Sequence, residues 1–186
     1  MLKKLFITSL LLMSFASAAS TQTQPKVSVQ LWSVKNELKA DFNATITALA
    51  AMGFDAVELA GEFAQYHDTP GAMAEYIASK GMSISGAHIG WDALKGDEFE
   101  KTVAFYQAAN VDSLTISWDT RAFDPKTVQQ TIDDLILFNK KLAPLGFKFG
   151  YHNHAQEFGA YENHTMWDQI ANSTPNSVVM QLDAGW

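Results

Sequence analysis

The chain contains no cysteine, which removes a disulfide framework as a source of stability and leaves a packed apolar core to supply it. Basic residues are scarce too: 13 Lys and Arg stand against 20 Asp and Glu, a net charge of −7. An acidic surface repels phosphate backbones and anionic lipid, so no nucleic-acid or membrane-surface partner is expected. The apolar stretch in the first twenty residues is too short to cross a bilayer. No glycine-rich phosphate loop follows the first strand-like segment; Gln30-Leu31-Trp32-Ser33 stands there instead, which argues against a dinucleotide fold.

What is present begins with a leader. MLKKLFITSLLLMSFASAAS has two lysines, a short apolar stretch and small residues at Ala16-Ser17-Ala18. This pattern predicts a secretory signal peptide over residues 1–19, a mature domain over 20–186, and a periplasmic or secreted protein. Without Lys3 and Lys4, 11 basic residues face 20 acidic ones, a net charge of −9. With 47% apolar residues, the mature chain is large enough for one sizeable core.

The organisation is a repeated strand–helix unit. Met52-Gly53-Phe54, Lys80-Gly81-Met82 and Leu145-Gly146-Phe147 each place a glycine between a helical stretch and a β-prone run, and Ala109-Asn110-Val111 does so with asparagine. Asp41, Thr69-Pro70, Asp97 and Asp124-Pro125 mark helix starts. Helices are therefore expected near 41–52, 70–80, 97–109 and 125–143, with a weaker one near 164–173. Strands are expected at 27–31, 54–59, 82–88, 112–117, 147–152 and 178–183. Such alternation predicts a parallel α/β sheet, doubly wound or closed as a (β/α)8 barrel.

Strand alternation then sorts the side chains. Val27, Val29 and Leu31 share one face and Gln30 the other; Val57 and Leu59 oppose Glu58; Phe147, Phe149 and Tyr151 oppose His152; Leu182 opposes Asp183. The third strand is ambiguous, but His88 falls at its C-terminal end. Gln30, Glu58, His88, His152 and Asp183 thus converge at the strand ends, where barrels carry their active sites. Imidazole and carboxylate together suit a divalent ion such as Mn, Zn or Co. In GYHNHAQEF, His152 is the expected ligand, His154 and Glu157 are expected at the pocket wall, and Asn153 points the opposite way toward a neighbouring loop. Trp32, Trp91, Trp118 and Trp186 fall just beyond strand tips, where core packing and sugar stacking are equally open readings.

VQLWSV, AVELAG, ISGAHIGW, GYHNHAQEF and QLDAGW, in that order, resemble the sugar phosphate isomerase/epimerase family of xylose isomerase-like barrels, from Val27 to Trp186. The resemblance implies a (β/α)8 barrel of which about six units lie in this chain. It also implies one divalent metal (Mn, Zn, Co or Mg) at the C-terminal rim, held in the family by Glu, Asp, His and Glu from four strands. Asp183 matches the family's aspartate ligand, and His152-Asn153 aligns with its fifth-strand glutamate and asparagine. Histidine therefore replaces a glutamate that both binds metal and moves a proton in many members. Glu157 resembles a glutamate that contacts substrate in some epimerases.

The expected function is a metal-dependent isomerase or epimerase acting on a small unphosphorylated carbohydrate or keto-sugar through an enediolate or enolate. Glu58, His88 and Glu157 are the expected catalytic residues. Gln30, Trp32, Trp118, His154 and Trp186 are expected to bind substrate, and His152 and Asp183 to bind metal. A non-catalytic exported carbohydrate binder and a keto-glycoside lyase or hydratase are the alternatives. Because the sequence stops three residues after Asp183, an open six-stranded sheet is expected, whose free edges favour association into homo-oligomers.

Overall fold

The computed structural model describes residues 25–186, so the predicted leader lies outside the described residues. Six parallel strands form one sheet: β1 (Ser28–Gln30), β2 (Ala56–Leu59), β3 (Ser83–Ile89), β4 (Ser113–Ile116), β5 (Lys148–His152) and β8 (Val178–Gln181). They pair in that order, so β1 and β8 are the sheet edges among the described residues. Two two-residue strands, β6 (Ala160–Tyr161) and β7 (His164–Thr165), make a small antiparallel hairpin before the last unit.

Helices α2 (Phe42–Ala51), α3 (Pro70–Ser79), α4 (Glu98–Ala108), α5 (Val128–Leu142) and α6 (Met166–Ser173) fall where the sequence places them, and a short α1 (Lys35–Ala40) precedes them. Their exits are explained by backbone conformation. Asn110 takes φ 55 where Gly53, Gly81 and Gly146 take 91, 80 and 92, so asparagine fills the left-handed position that ends α4. Asp41 caps α2 by accepting the Ala44 N–H at 2.9 Å. The expected caps at Thr69 and Asp97 make no side-chain bond. The best-built start is α6, where Thr165 and Asp168 bond each other's main chain reciprocally.

One face of the sheet carries the core. Leu31, Val57, Leu59, Leu114, Ile116, Phe149 and Tyr151 pack with Leu38, Phe42, Met73, Ile77, Ile132 and Leu135 in one buried cluster. The third strand is ambiguous in sequence for a physical reason. Its register with β2 shifts between Val57 and Glu58, so a bulge breaks the alternation and returns Gly86 and His88 to the Glu58 side.

At the β5–β8 junction Gly150 pairs with Val179. A Cβ there would run into the Val179 carbonyl, so the strands approach this closely only because position 150 has no side chain.

Candidate functional site

The C-terminal ends of the six strands surround an open cavity of about 940 Å³. Every residue singled out from the sequence borders it except Asn153, Glu157 and Trp91. Three tryptophans stand at its rim, with Trp32 60%, Trp118 48% and Trp186 62% exposed. Trp91 resolves the other way: its indole Nε1–H donates to Asp119 at 2.8 Å, and its ring packs on Phe138 and Phe149.

The floor is a directed chain of hydrogen bonds. Gln30 Oε1 accepts the Trp32 N–H at 2.6 Å, which leaves its Nε2 to donate to His88 Nδ1 at 3.0 Å. That bond assigns His88 the Nε2–H tautomer. His88 Nε2–H then donates to Gln181 Oε1 at 2.6 Å, and Gln181 Nε2 donates to Glu58 Oε1 at 2.7 Å. The other Glu58 oxygen lies 3.3 Å from His88 Nε2. Glu58 is thus the terminal acceptor of a chain that crosses four strands. Alternation places Gln181 on the same face as Asp183, but an uncharged amide gives no signal of a site in the sequence.

The second group is histidine-rich. His152 and His154 pack edge to face at 5.1 Å between ring centroids, with His88 4.8 Å from His152 and Trp118 4.5 Å from His154. Burial, with the His88 and His154 rings alongside, pushes His152 down to about 4, against the opposing pull of Asp183 and Gln181. Burial lowers His154 as well. Both imidazoles are held neutral at pH 7, the form a metal ligand needs. His152 and His154 each keep a buried Nδ1 with no hydrogen-bond partner, which is rare for buried polar atoms.

Glu157 corrects the expectation of a carboxylate at the pocket wall. It is fully buried in the 3-10 turn Gln156–Phe158, accepts Tyr151 Oη–H at 2.6 Å and accepts the His154 N–H at 2.9 Å. Strand alternation stops at His152, and the turn swings Glu157 beneath the strand end. Burial raises its carboxyl above the usual range despite both donors. It braces His154 from behind. Asn153 does point away from the cavity, and its amide bonds the main chain of Asp183.

The donor set bears on a metal directly. His152 Nε2 and Asp183 Oδ2 are 3.7 Å apart, a few tenths wider than the roughly 3.0–3.4 Å spanned by two donors at ~2.1 Å from one ion. A neutral imidazole and a carboxylate are donor types a divalent ion takes, and the two would have to close by a few tenths of an ångström to share one. Among the described residues no group of three or more His, Asp or Glu side chains is clustered with metal-site spacing. Glu58 and His88 are instead tied to Gln181, whose amide is committed to both.

No protein-family model and no curated protein sequence matches the chain. Solved structures do. A sugar phosphate isomerase/epimerase from Parabacteroides distasonis ATCC 8503 aligns with TM-score 0.71 and 18% identity, over 89% of this chain and 70% of that one. The probable 3-DHS dehydratase of petrobactin synthesis from Bacillus anthracis aligns with TM-score 0.62 and 16% identity, over 86% and 63%. A xylose isomerase-like TIM barrel/4-hydroxyphenylpyruvate dioxygenase fusion protein aligns with TM-score 0.60 and 20% identity, over 84% and 26%. The chain therefore spans less than two thirds of the length of two of these three. Six parallel strands with alternating helices, matched in this way, have the fold of a partial (β/α)8 TIM barrel.

Proposed function

We propose that the cavity carries out proton transfer next to a carbonyl on a small carbohydrate or keto-sugar, as an isomerase or epimerase does. The observation that supports this best is Glu58, a mostly buried carboxylate on the cavity floor. A carboxylate on a sheet interior is costly unless it has donors or a task. Gln181 supplies one firm donor, which leaves lone pairs on the second oxygen for a substrate proton.

In the proposed step, Glu58 takes a proton from the carbon beside the carbonyl, and the C–H electron pair moves onto the carbonyl oxygen to give an enolate or enediolate. A proton delivered to the opposite face of the same carbon epimerises it; a proton delivered to the former carbonyl carbon, with the neighbouring hydroxyl proton passing to the former carbonyl oxygen, isomerises the sugar. Gln181 and His88 hold Glu58 in place, with His88 oriented in turn by Gln30. The Trp32, Trp118 and Trp186 rings offer apolar faces to sugar C–H surfaces. His152 and Asp183 would hold the divalent ion, which when bound supplies Lewis-acid polarisation of substrate oxygens. Two of the structurally similar proteins are a sugar phosphate isomerase/epimerase and a probable 3-DHS dehydratase, and both activities are compatible with removal of a proton beside a carbonyl. An exported protein would meet an unphosphorylated sugar.

Deuterium wash-in tests the step. Incubated in D2O with a panel of ketoses and keto-glycosides, the wild type should place deuterium beside the carbonyl of at least one. Glu58→Gln should slow this by about 100-fold or more, the usual contribution of a general base. Binding without wash-in across the panel would favour the non-catalytic carbohydrate binder, and wash-in unchanged in Glu58→Gln would remove Glu58 from the chemistry.

A further inference from the structure

The β5–β8 ladder runs from Phe149↔Val178 to His152↔Gln181. One step beyond it, a side chain takes over from the backbone. Asn153 Oδ1 accepts the Asp183 N–H at 2.8 Å, and Asn153 Nδ2 donates to the Asp183 carbonyl at 3.0 Å. A single amide thus satisfies both main-chain polar groups of a residue thirty positions away, and it does so fully buried. A carboxamide is the only side chain that sets a neutral donor and a neutral acceptor side by side in this fork.

The consequence reaches the Asp183 carboxylate. Its Oδ1 accepts the Gly185 N–H at 2.8 Å, and its Oδ2 faces His152 Nε2. With the main chain of Asp183 clamped on one side and Oδ1 tied on the other, the direction of Oδ2 is fixed. The clamp sits on the residue next to His152, whose other flank is braced where Glu157 accepts the His154 N–H. The two donors therefore share one rigid frame.

We propose that Asn153 is a positioning residue: its amide clamp on the Asp183 main chain sets the separation of the His152 and Asp183 donors. Outer partners of this kind act through the ligand they orient, and their loss usually weakens metal affinity by about 10–100-fold. The inference rests on reading His152 and Asp183 as the ion-binding pair, and its test separates the two.

The variants are Asn153→Leu, which keeps the volume and loses both bonds, and Asn153→Ala, which makes no steric demand; either one that folds serves. Amide hydrogen exchange on the full chain reads the clamp without any metal. The Asp183 amide should exchange at least about tenfold faster, whereas amides in the centre of β5, such as Phe149 and Tyr151, should change less than about twofold. Titration with Co²⁺ reads the consequence, and affinity should fall by about tenfold or more. An unchanged Asp183 exchange rate overturns the clamp. Faster exchange with unaltered Co²⁺ affinity reduces Asn153 to a fold staple and overturns the positioning role. A wild type that binds no Co²⁺ while its variants still exchange faster at Asp183 refutes the ion-binding pair and leaves the clamp itself intact.

Discussion

Two polar clusters sit on adjacent strand ends and are built on opposite rules. After β4, Asp119 is only 5% exposed and is surrounded by donors: Trp91 Nε1–H at 2.8 Å, the Thr131 hydroxyl at 2.8 Å, the Arg121 N–H at 2.9 Å and the Arg121 guanidinium at 2.8 Å. Arg121 in turn pairs with Asp134 at 2.8 Å. At the end of β5, by contrast, His152 and His154 each hold a buried nitrogen with no partner. A saturated network ties structure together; an unsaturated one leaves its rings held by packing and not by hydrogen bonds at these nitrogens. The Asp119 cluster fastens the Trp118 loop to α5, and the histidine cluster faces the cavity beside it.

The largest expected effect comes from breaking the saturated side. Asp119→Ala strands Arg121, Thr131 and the Trp91 indole in a largely buried site, and removing one partner of such a pair costs about 3–5 kcal/mol. Thermal melting followed by far-UV circular dichroism should drop by roughly 10 °C; a fall of only a degree or two would show the network to be dispensable.

Acid reads the same network with no mutation. Burial works against the Asp119 charge, but the Arg121 and Thr131 donors outweigh it and hold the carboxyl below the usual carboxylate range. A carboxyl depressed in the folded state binds fewer protons there than in the unfolded chain. Its stabilisation is therefore complete above the unfolded value near ~3.9 and is lost as pH falls through the lower folded value. Chemical denaturation from pH 6 to pH 3 should show a steeper loss in wild type than in Asp119→Asn. Parallel curves would assign the acid sensitivity to other groups.

Between the extremes lies Gly150. Adding a methyl group forces β5 and β8 apart against the Val179 carbonyl, and overpacking of this kind costs about 1–3 kcal/mol. Denaturant titration of Gly150→Ala measures it, and a neutral substitution would mean that the strands yield freely.

The smallest effect on stability belongs to the unsaturated side. His152→Ala removes an imidazole whose Nδ1 is buried without a bond, so little hydrogen-bond energy is lost and the free energy of unfolding should move by less than about 1 kcal/mol. A loss comparable to that of Asp119→Ala would erase the distinction between the two clusters.

Much of this rim could be read from the sequence, because the features that place it are local. Glycine or asparagine at positions 53, 81, 110 and 146 ends helices wherever it occurs, and period-two alternation assigns Gln30, Glu58 and His152 to one face. Alternation fails where its premise fails. The bulge opposite Val57 and Glu58 hides the phase of β3. The 3-10 turn beyond the last strand residue of β5 carries Glu157 under the site instead of into it. Gln181 and Asn153 are illegible as site residues for another reason: their importance lies in amide geometry toward residues 123 and 30 positions away, and no local pattern encodes that. The rim tryptophans separate only in three dimensions, where Trp91 turns to Asp119 and Trp32, Trp118 and Trp186 stand exposed.

Co²⁺ binding, followed by its d–d absorption in wild type, His152→Ala, Asp183→Ala and Asp119→Asn, tests the central contrast most directly. The unsaturated cluster should bind one ion per chain, and binding should be abolished by His152→Ala and Asp183→Ala with melting points nearly unchanged. Asp119→Asn should lower the melting point and retain the ion. Stoichiometric Co²⁺ in both His152→Ala and Asp183→Ala would contradict the account.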